Sequence, residues 1–114
     1  MSNPEHLYRT VQREELLDLA ACRAFRTAPG SIEGKLFWTT REDAERLARL
    51  FSARHGIGPS WIVEVVIEQV ELERMNSLTT DGRPARYVDE ANLDWFNDIV
   101  DMVLPADFDG QSIG

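Results

Sequence analysis

The sequence predicts an α+β fold in which a small twisted β-sheet carries two or three packed helices. Three observations support this prediction: stretches of alternating apolar residues, helical apolar stripes between them, and Gly- or Pro-containing breaks that keep every element short. The length of 114 residues suits one domain. We expect that domain to span residues 1–104 and to be followed by an irregular tail over residues 105–114.

The chain alternates between extended and helical patterns. Residues 6–11 predict a first strand, residues 14–24 a helix with an apolar stripe, and residues 35–39 a second short strand. Residues 61–72 predict the strongest strand, because β-branched residues dominate it, as they do in central strands.

A second helix is predicted to begin after Thr40. Thr40 is a suitable N-cap, and Asp43 stands at the position where a capping box places an acid. The helical spacing i, i+3, i+4 and i+7 is then filled by apolar residues, namely Ala44, Leu47, Ala48 and Phe51.

The last third of the chain predicts shorter elements. Residues 76–84 predict a loop that turns at Asp81 and Gly82, and residues 85–88 predict a brief strand. Residues 90–103 predict a final amphipathic helix.

The charge of the chain restricts its partners. Twenty acidic residues oppose twelve Lys and Arg, which gives a net charge of −8. This field repels a phosphate backbone, so we expect no nucleic-acid partner and favour a protein partner with a basic surface. No stretch reaches the roughly 20 apolar residues of a membrane span, and the single Cys22 suits a reducing compartment, so we expect a cytoplasmic protein without a membrane partner.

Two kinds of site are disfavoured by spacing. The segment from Gly30 to Lys35 differs from a phosphate-binding P-loop, because it has three residues between its glycines and Leu36 follows the lysine. His6 and His55 lie far apart without metal-ligand spacing, and one cysteine cannot complete a cysteine site. We therefore expect no metal cofactor.

A set of short motifs in the first half of the chain resembles a known family. A strand with Leu7-Tyr8-Arg9 precedes a helix with Glu14-Glu15-Leu16, and a glycine-containing segment, Gly34-Lys35-Leu36-Phe37-Trp38-Thr39-Thr40, precedes a helix that opens with Glu42-Asp43-Ala44. This arrangement resembles the N-terminal half of small ADP-ribosyltransferase-like domains, including those of bacterial toxins.

The resemblance implies NAD as the substrate, with transfer of ADP-ribose or release of nicotinamide. By position, Arg9 would hold the phosphates or ribose of NAD. Thr39 and Thr40 would join it as cofactor-binding residues, because the family places a strand ending in small hydroxyl residues at the nicotinamide pocket. Lys35, at the start of the same strand, is a further cofactor-binding candidate.

The resemblance also implies a later glutamate that orients the ribose hydroxyl and stabilises an oxocarbenium-like transition state. Glu90, after the short strand with Arg86-Tyr87, is our first choice. Glu73 and Glu64 are the alternatives, the first by its spacing from Glu71 and the second by its place within the long strand.

An alternative hypothesis is a non-catalytic, acidic protein-interaction module, such as an immunity protein, an inhibitor or an adaptor. The net acidity and the aspartates Asp94, Asp98 and Asp101 of the predicted last helix would steer a basic partner in a salt-dependent way. We expect Trp38 and Trp95 to be exposed. Only one of the neighbours Trp95 and Phe96 can occupy the centre of the apolar face, so the other is a candidate binding anchor.

Overall fold

A computed structural model describes residues 3–27, 34–55 and 59–105, and the structural statements below concern these residues. Gly30 and nearly all of the predicted tail lie outside them. The described chain forms a six-stranded antiparallel sheet. Its strands are β1 (Pro4–Gln12), β2 (Lys35–Trp38), β3 (Ser60–Glu68), β4 (Asn76–Thr80), β5 (Arg83–Val88) and β6 (Asp101–Val103). Their order across the sheet is β4-β5-β2-β1-β3-β6.

Helices cover both faces of this sheet, which confirms the predicted α+β fold class. The α-helices are α1 (Arg13–Cys22), α2 (Arg41–Leu50), α3 (Gln69–Leu72) and α4 (Leu93–Ile99). Helix α2 continues into a π-helical turn, Phe51–His55, and a 3-10 turn, Glu90–Asn92, leads into α4. No helix in the described part of the chain is long and apolar enough to cross a membrane.

The centre of the sheet is the long antiparallel pair of β1 and β3. The two strands stay in register from Pro4 opposite Glu68 to Gln12 opposite Ser60. Because side chains alternate between faces, this register gathers apolar residues on one face, namely Leu7, Val11, Trp61, Val63, Val65 and Ile67.

The two faces carry different cores. On the first face, α1 and α4 cover a cluster that contains an aromatic trio, Phe25, Phe37 and Phe96, with ring centroids 4.9–5.8 Å apart. On the second face, Ala44 and Ala48 of α2 lie against Trp38, Ile62 and Ala85. The small alanines let α2 approach the sheet closely.

Two local predictions are confirmed in detail. The Thr40 hydroxyl accepts a hydrogen bond from the Asp43 backbone N–H at 3.2 Å and caps α2. The β4–β5 hairpin turns at Asp81 and Gly82, both with positive φ (53° and 72°), as a two-residue hairpin loop prefers.

Three segment predictions were wrong. Residues 69–72 form the short helix α3 instead of extending the long strand, and residues 76–80 form β4 instead of a loop. The predicted final helix ends at Ile99, and residues 101–103 form β6. β4 is almost entirely exposed and polar, so it has no apolar alternation that could predict it. β6 is held by its pairing with β3, and its own short sequence does not predict a strand.

Adjacent leucines on α1 provide a test of this packing. Leu16 is 2% exposed within the core, whereas Leu17 is 46% exposed. We expect Leu16→Ala to lower the free energy of unfolding by about 2–5 kcal/mol, because it leaves a cavity. Leu17→Ala should change it by less than about 0.5 kcal/mol. Urea unfolding of the two variants measures both values, and equal effects would contradict the placement of α1.

Candidate functional site

The sheet divides between β1 and β2. These neighbouring strands share a single registered pair, Tyr8 opposite Trp38. Beyond it, β1 continues along β3 as far as Gln12, whereas β2 follows β5, with Lys35 opposite Val88. The two strands therefore form a fork between a β4-β5-β2 half and a β1-β3-β6 half.

A cleft of about 600 Å³ opens at this fork. Its volume lies within the roughly 300–1,000 Å³ of small-molecule and cofactor sites. It is lined by residues of β1, β2, the first turn of α1 and the end of α2, namely Arg9, Thr10, Gln12, Arg13, Glu14, Glu15, Leu36, Trp38, Leu47, Phe51 and Pro59. Arg9, the predicted NAD-binding arginine, is thus part of the cleft wall.

The Arg9 side chain bridges the fork. Its Nε and Nη2 donate to the two carboxylate oxygens of Glu15 at 2.6 and 3.0 Å, and its Nη1 donates to the Leu36 carbonyl at 3.0 Å. The side chain is only 18% exposed. Arginine has five N–H donors, and two of those of Arg9 have no hydrogen-bond partner among the described residues.

The charge around Arg9 differs from that of the whole protein. The Lys35 ammonium lies 3.8 Å from Glu15, and its side chain is 12% exposed. Arg13 and Glu14 line the cleft beside them. The residues that line the cleft therefore carry two cations, Arg9 and Arg13, and two acids, Glu14 and Glu15, whereas the whole chain has a net charge of −8. The cleft lining therefore repels an anion less than the rest of the surface does.

Two nitrogen donors in the cleft lining are buried without a hydrogen-bond partner in the described structure. They are the indole Nε1 of Trp38 and the amide Nε2 of Gln12. Leaving such a donor unpaired costs about 1–3 kcal/mol. Trp38 is only 3% exposed, so the expectation of an exposed Trp38 was wrong. Helix α2 and β5 cover it, through Ala44, Ala48 and Ala85.

The two predicted hydroxyl residues lie next to the cleft and do not line it. The Thr39 hydroxyl is 3.5 Å from the Pro84 carbonyl oxygen, and the Thr40 hydroxyl caps α2. Both follow directly after Trp38, which does line it. Lys35 reaches the site through Glu15.

The three candidate glutamates lie on separate elements, and none of them lines the cleft. Glu64 is on β3, opposite Tyr8, and forms a hydrogen bond with His6 Nδ1. Glu73 is exposed at the end of α3. Glu90 is exposed in the turn after β5.

Glu90 lies at the same end of the sheet as the open end of the fork. There Gly34, just before β2, lies so close to β5 that a Cβ atom at this position would be 2.1 Å from the Val88 carbonyl oxygen. It would also lie 2.7 Å from the Asp89 Cα, so only glycine fits. Glu90 directly follows Asp89 in the chain, and this position next to the close contact distinguishes it from Glu64 and Glu73.

Sequence reasoning missed three functional candidates: Glu15, Gln12 and Trp38. The alternation of β1 could have assigned Gln12 to the face of Thr10, but not to a cleft. The fork results from the register between distant strands, and no local signal reports that register.

A second, smaller cleft of about 340 Å³ lies near the start of α4, and Arg74, Tyr87, Asp89 and Trp95 are among the residues that line it. The Arg74 guanidinium carbon is 5.1 Å from the Trp95 ring centroid. Phe96 is fully buried and Trp95 is half-buried, so Phe96 occupies the centre of the apolar face, and Trp95 is the surface residue of the pair.

Comparison with family models, curated proteins and solved structures finds no significant match. Within residues 3–27, 34–55 and 59–105, no cluster of three or more His, Cys, Asp and Glu side chains could hold a metal ion. The candidate site therefore depends on its geometry and on the motif resemblance.

The pKa of Tyr8 tests the surroundings of Glu64. Burial raises the Tyr8 pKa above its ordinary value, the Glu64 charge raises it further, and Arg41 lowers it. We expect Glu64→Gln to lower the Tyr8 pKa, because it removes a nearby negative charge. Spectrophotometric titration in a Tyr87→Phe background measures this shift. The control is Glu68→Gln, which changes an exposed acid at the end of β3; an unchanged Tyr8 pKa in Glu64→Gln would contradict the arrangement.

Proposed function

We propose that this chain is an NAD-binding domain similar to ADP-ribosyltransferases, which transfers ADP-ribose or releases nicotinamide. One observation carries the proposal: Arg9, the first-strand arginine to which the resemblance assigns NAD, lines the larger of the two described clefts, and two of its five N–H donors have no partner among the described residues.

The arrangement of Arg9 suits a pyrophosphate. Glu15 holds one edge of the guanidinium, so the group is already oriented before a ligand arrives, and less side-chain entropy is lost on binding. Charge-assisted hydrogen bonds from arginine to phosphate oxygens are among the strongest in proteins. Lys35, close to Glu15, adds a second positive charge.

The proposed reaction breaks the bond between ribose and nicotinamide, and positive charge develops on the sugar as it does in glycoside hydrolysis. A carboxylate near the sugar stabilises that charge. We propose Glu90 for this role, because it lies at the open end of the fork, next to the close contact of Gly34 with Val88 and Asp89. Glu73 and Glu64 remain the alternatives, and Glu64 already has His6 as a partner.

The Thr39 and Thr40 hydroxyls are proposed to complete the site at the end of β2. Thr39 has only a long contact with Pro84, so its hydroxyl can turn towards a ligand at little cost. The Thr40 hydroxyl is engaged as the cap of α2, which makes Thr39 the better candidate. We also propose a cytoplasmic location, because a single cysteine suits a reducing compartment.

A second candidate function is an acidic module that binds a basic protein. The exposed aspartates Asp94, Asp98 and Asp101, together with half-buried Trp95 in the smaller cleft, support it. Such binding would weaken as salt rises, because steering by charge is screened. A pull-down at low and high salt that compares wild type with Trp95→Ala tests this candidate.

Calorimetric titration of NAD tests the role of Arg9. We expect wild type to bind and Arg9→Ala to bind about tenfold to a hundredfold more weakly, because hydrogen bonds to a charged group are lost. The matched control is Arg46→Ala, which removes the same charge from a residue that contacts Asp81 and does not line the cleft. Equal NAD affinity in all three proteins, or no binding by wild type at millimolar NAD, would refute the proposal.

Release of nicotinamide from NAD tests the glutamates. We expect Glu90→Gln to lower the rate about a hundredfold, because the neutral amide cannot offset the charge of the transition state. Glu68→Gln, which changes an exposed glutamate at the end of β3, is the matched control and should keep the wild-type rate. A wild-type rate in Glu90→Gln would exclude Glu90 as the catalytic carboxylate, and a loss in Glu73→Gln or Glu64→Gln would assign the role to that residue.

A further inference from the structure

Two residues that line the cleft have an unpaired buried polar atom. Within the described residues, the buried side-chain nitrogen and oxygen atoms without a hydrogen-bond partner belong to Gln12, Trp38, Ser60, Trp61 and Arg83. Of these, Gln12 and Trp38 line the cleft. Both unpaired atoms are N–H donors, so each can donate a hydrogen bond to an acceptor on a ligand.

The two donors come from the two strands that form the fork, at different levels of it: Trp38 is opposite Tyr8, and Gln12 lies four residues further along β1. Gln12 ends β1 and Trp38 ends β2, so each comes from a different half of the divided sheet. Both lie on the α2 face, since Gln12 alternates with Val11 of the opposite core, and Trp38 belongs to the cluster under α2. Arg9 alternates to the other face and reaches Glu15 of α1. The cleft therefore has a cationic part and a separate donor part.

The donor part has apolar neighbours. Leu36, Leu47, Phe51 and Pro59 complete the lining of the cleft beside Gln12 and Trp38. A binding surface of apolar groups with a few fixed donors suits a planar ring that carries hydrogen-bond acceptors. A ligand with an aliphatic group at this place would leave both donors unpaired. A ligand with a polar chain and no ring would leave the apolar lining exposed to water.

We propose that Trp38 and Gln12 determine the ligand specificity of the cleft by donating their indole and amide N–H groups to acceptors on a planar heteroaromatic ring. This inference rests on the proposed function, because it takes the ring to belong to the ligand whose phosphates Arg9 holds. The shared chemistry is a flat ring with an acceptor, supplied either by the ring nitrogens of adenine or by the carboxamide oxygen of nicotinamide.

Gln12→Met is the variant that tests the donor role of Gln12 most directly. It keeps an unbranched side chain of similar length and removes the unpaired donor. An unpaired buried donor destabilises the ligand-free protein. Gln12→Met removes this donor, so it should raise the Tm of the ligand-free protein and weaken ligand binding. A Gln12 with a purely structural role would show the opposite change in Tm and no change in affinity.

The experiment is calorimetric titration of NAD, ADP-ribose and nicotinamide mononucleotide into wild type, Gln12→Met, Trp38→Phe and Arg9→Ala. We expect Gln12→Met and Trp38→Phe each to weaken binding of NAD about threefold to tenfold. A matching loss for ADP-ribose assigns the donors to adenine, and a matching loss for nicotinamide mononucleotide assigns them to nicotinamide. Trp38 is buried, so Gln12→Met decides the matter if Trp38→Phe does not fold.

Two outcomes would overturn the inference, and they are distinguishable. If Arg9→Ala weakens NAD binding while Gln12→Met binds all three ligands as wild type does, the donor role fails and the proposed NAD function survives. If wild type binds none of the three ligands, the proposed function fails, and the inference fails with it.

Discussion

The bridge that Arg9 makes between α1 and β2 is the interaction on which the candidate site depends. Beyond Tyr8, the strands β1 and β2 have no registered pairing, and the Arg9 guanidinium spans the gap through Glu15 and the Leu36 carbonyl. The group is largely buried, so removing either charge leaves the other poorly solvated, which is costly. The same contacts that hold the fork together use three of the five N–H donors of Arg9.

The packing on the two faces fixes the walls of the cleft. Phe37 and Trp38 are consecutive residues of β2 and enter opposite cores: Phe37 joins the aromatic trio, and Trp38 lies under α2. A strand of four residues is thereby anchored from both sides. On the other wall, β1 is held along its whole length by β3. The cleft thus lies between two well-supported strands, which favours a site that exists before the ligand binds.

The sequence could predict elements whose signals are local. The alternation of β3, the Thr40 cap of α2 and the Asp81-Gly82 turn each depend on residues close together in the chain, and the structure confirms them. β4 and β6 were missed because their formation depends on partner strands, β5 and β3, and not on their own composition.

The candidate site was predictable only in part for the same reason. Motif resemblance singled out Arg9, but the divergence of β1 from β2 follows from long-range register, so the cleft positions of Gln12 and Trp38 had no local signal. The burial of Trp38 depends on alanines from α2 and β5, which are distant in the sequence. The candidate glutamates lie on different elements. Glu90 is distinguished from the other two only by the end of the sheet at which it lies.

The central claim is that NAD binds in the fork between Arg9 and Trp38. The three tryptophans allow a direct test by NMR, because each gives its own indole N–H signal and they occupy different places: Trp38 in the cleft, Trp61 in the opposite core and Trp95 in the smaller cleft. As NAD is added, the account predicts that the Trp38 indole signal and the Arg9 Nε–H signal shift together while the Trp61 and Trp95 signals stay in place. A shift of the Trp95 signal alone, or no shift at saturating NAD, would contradict it.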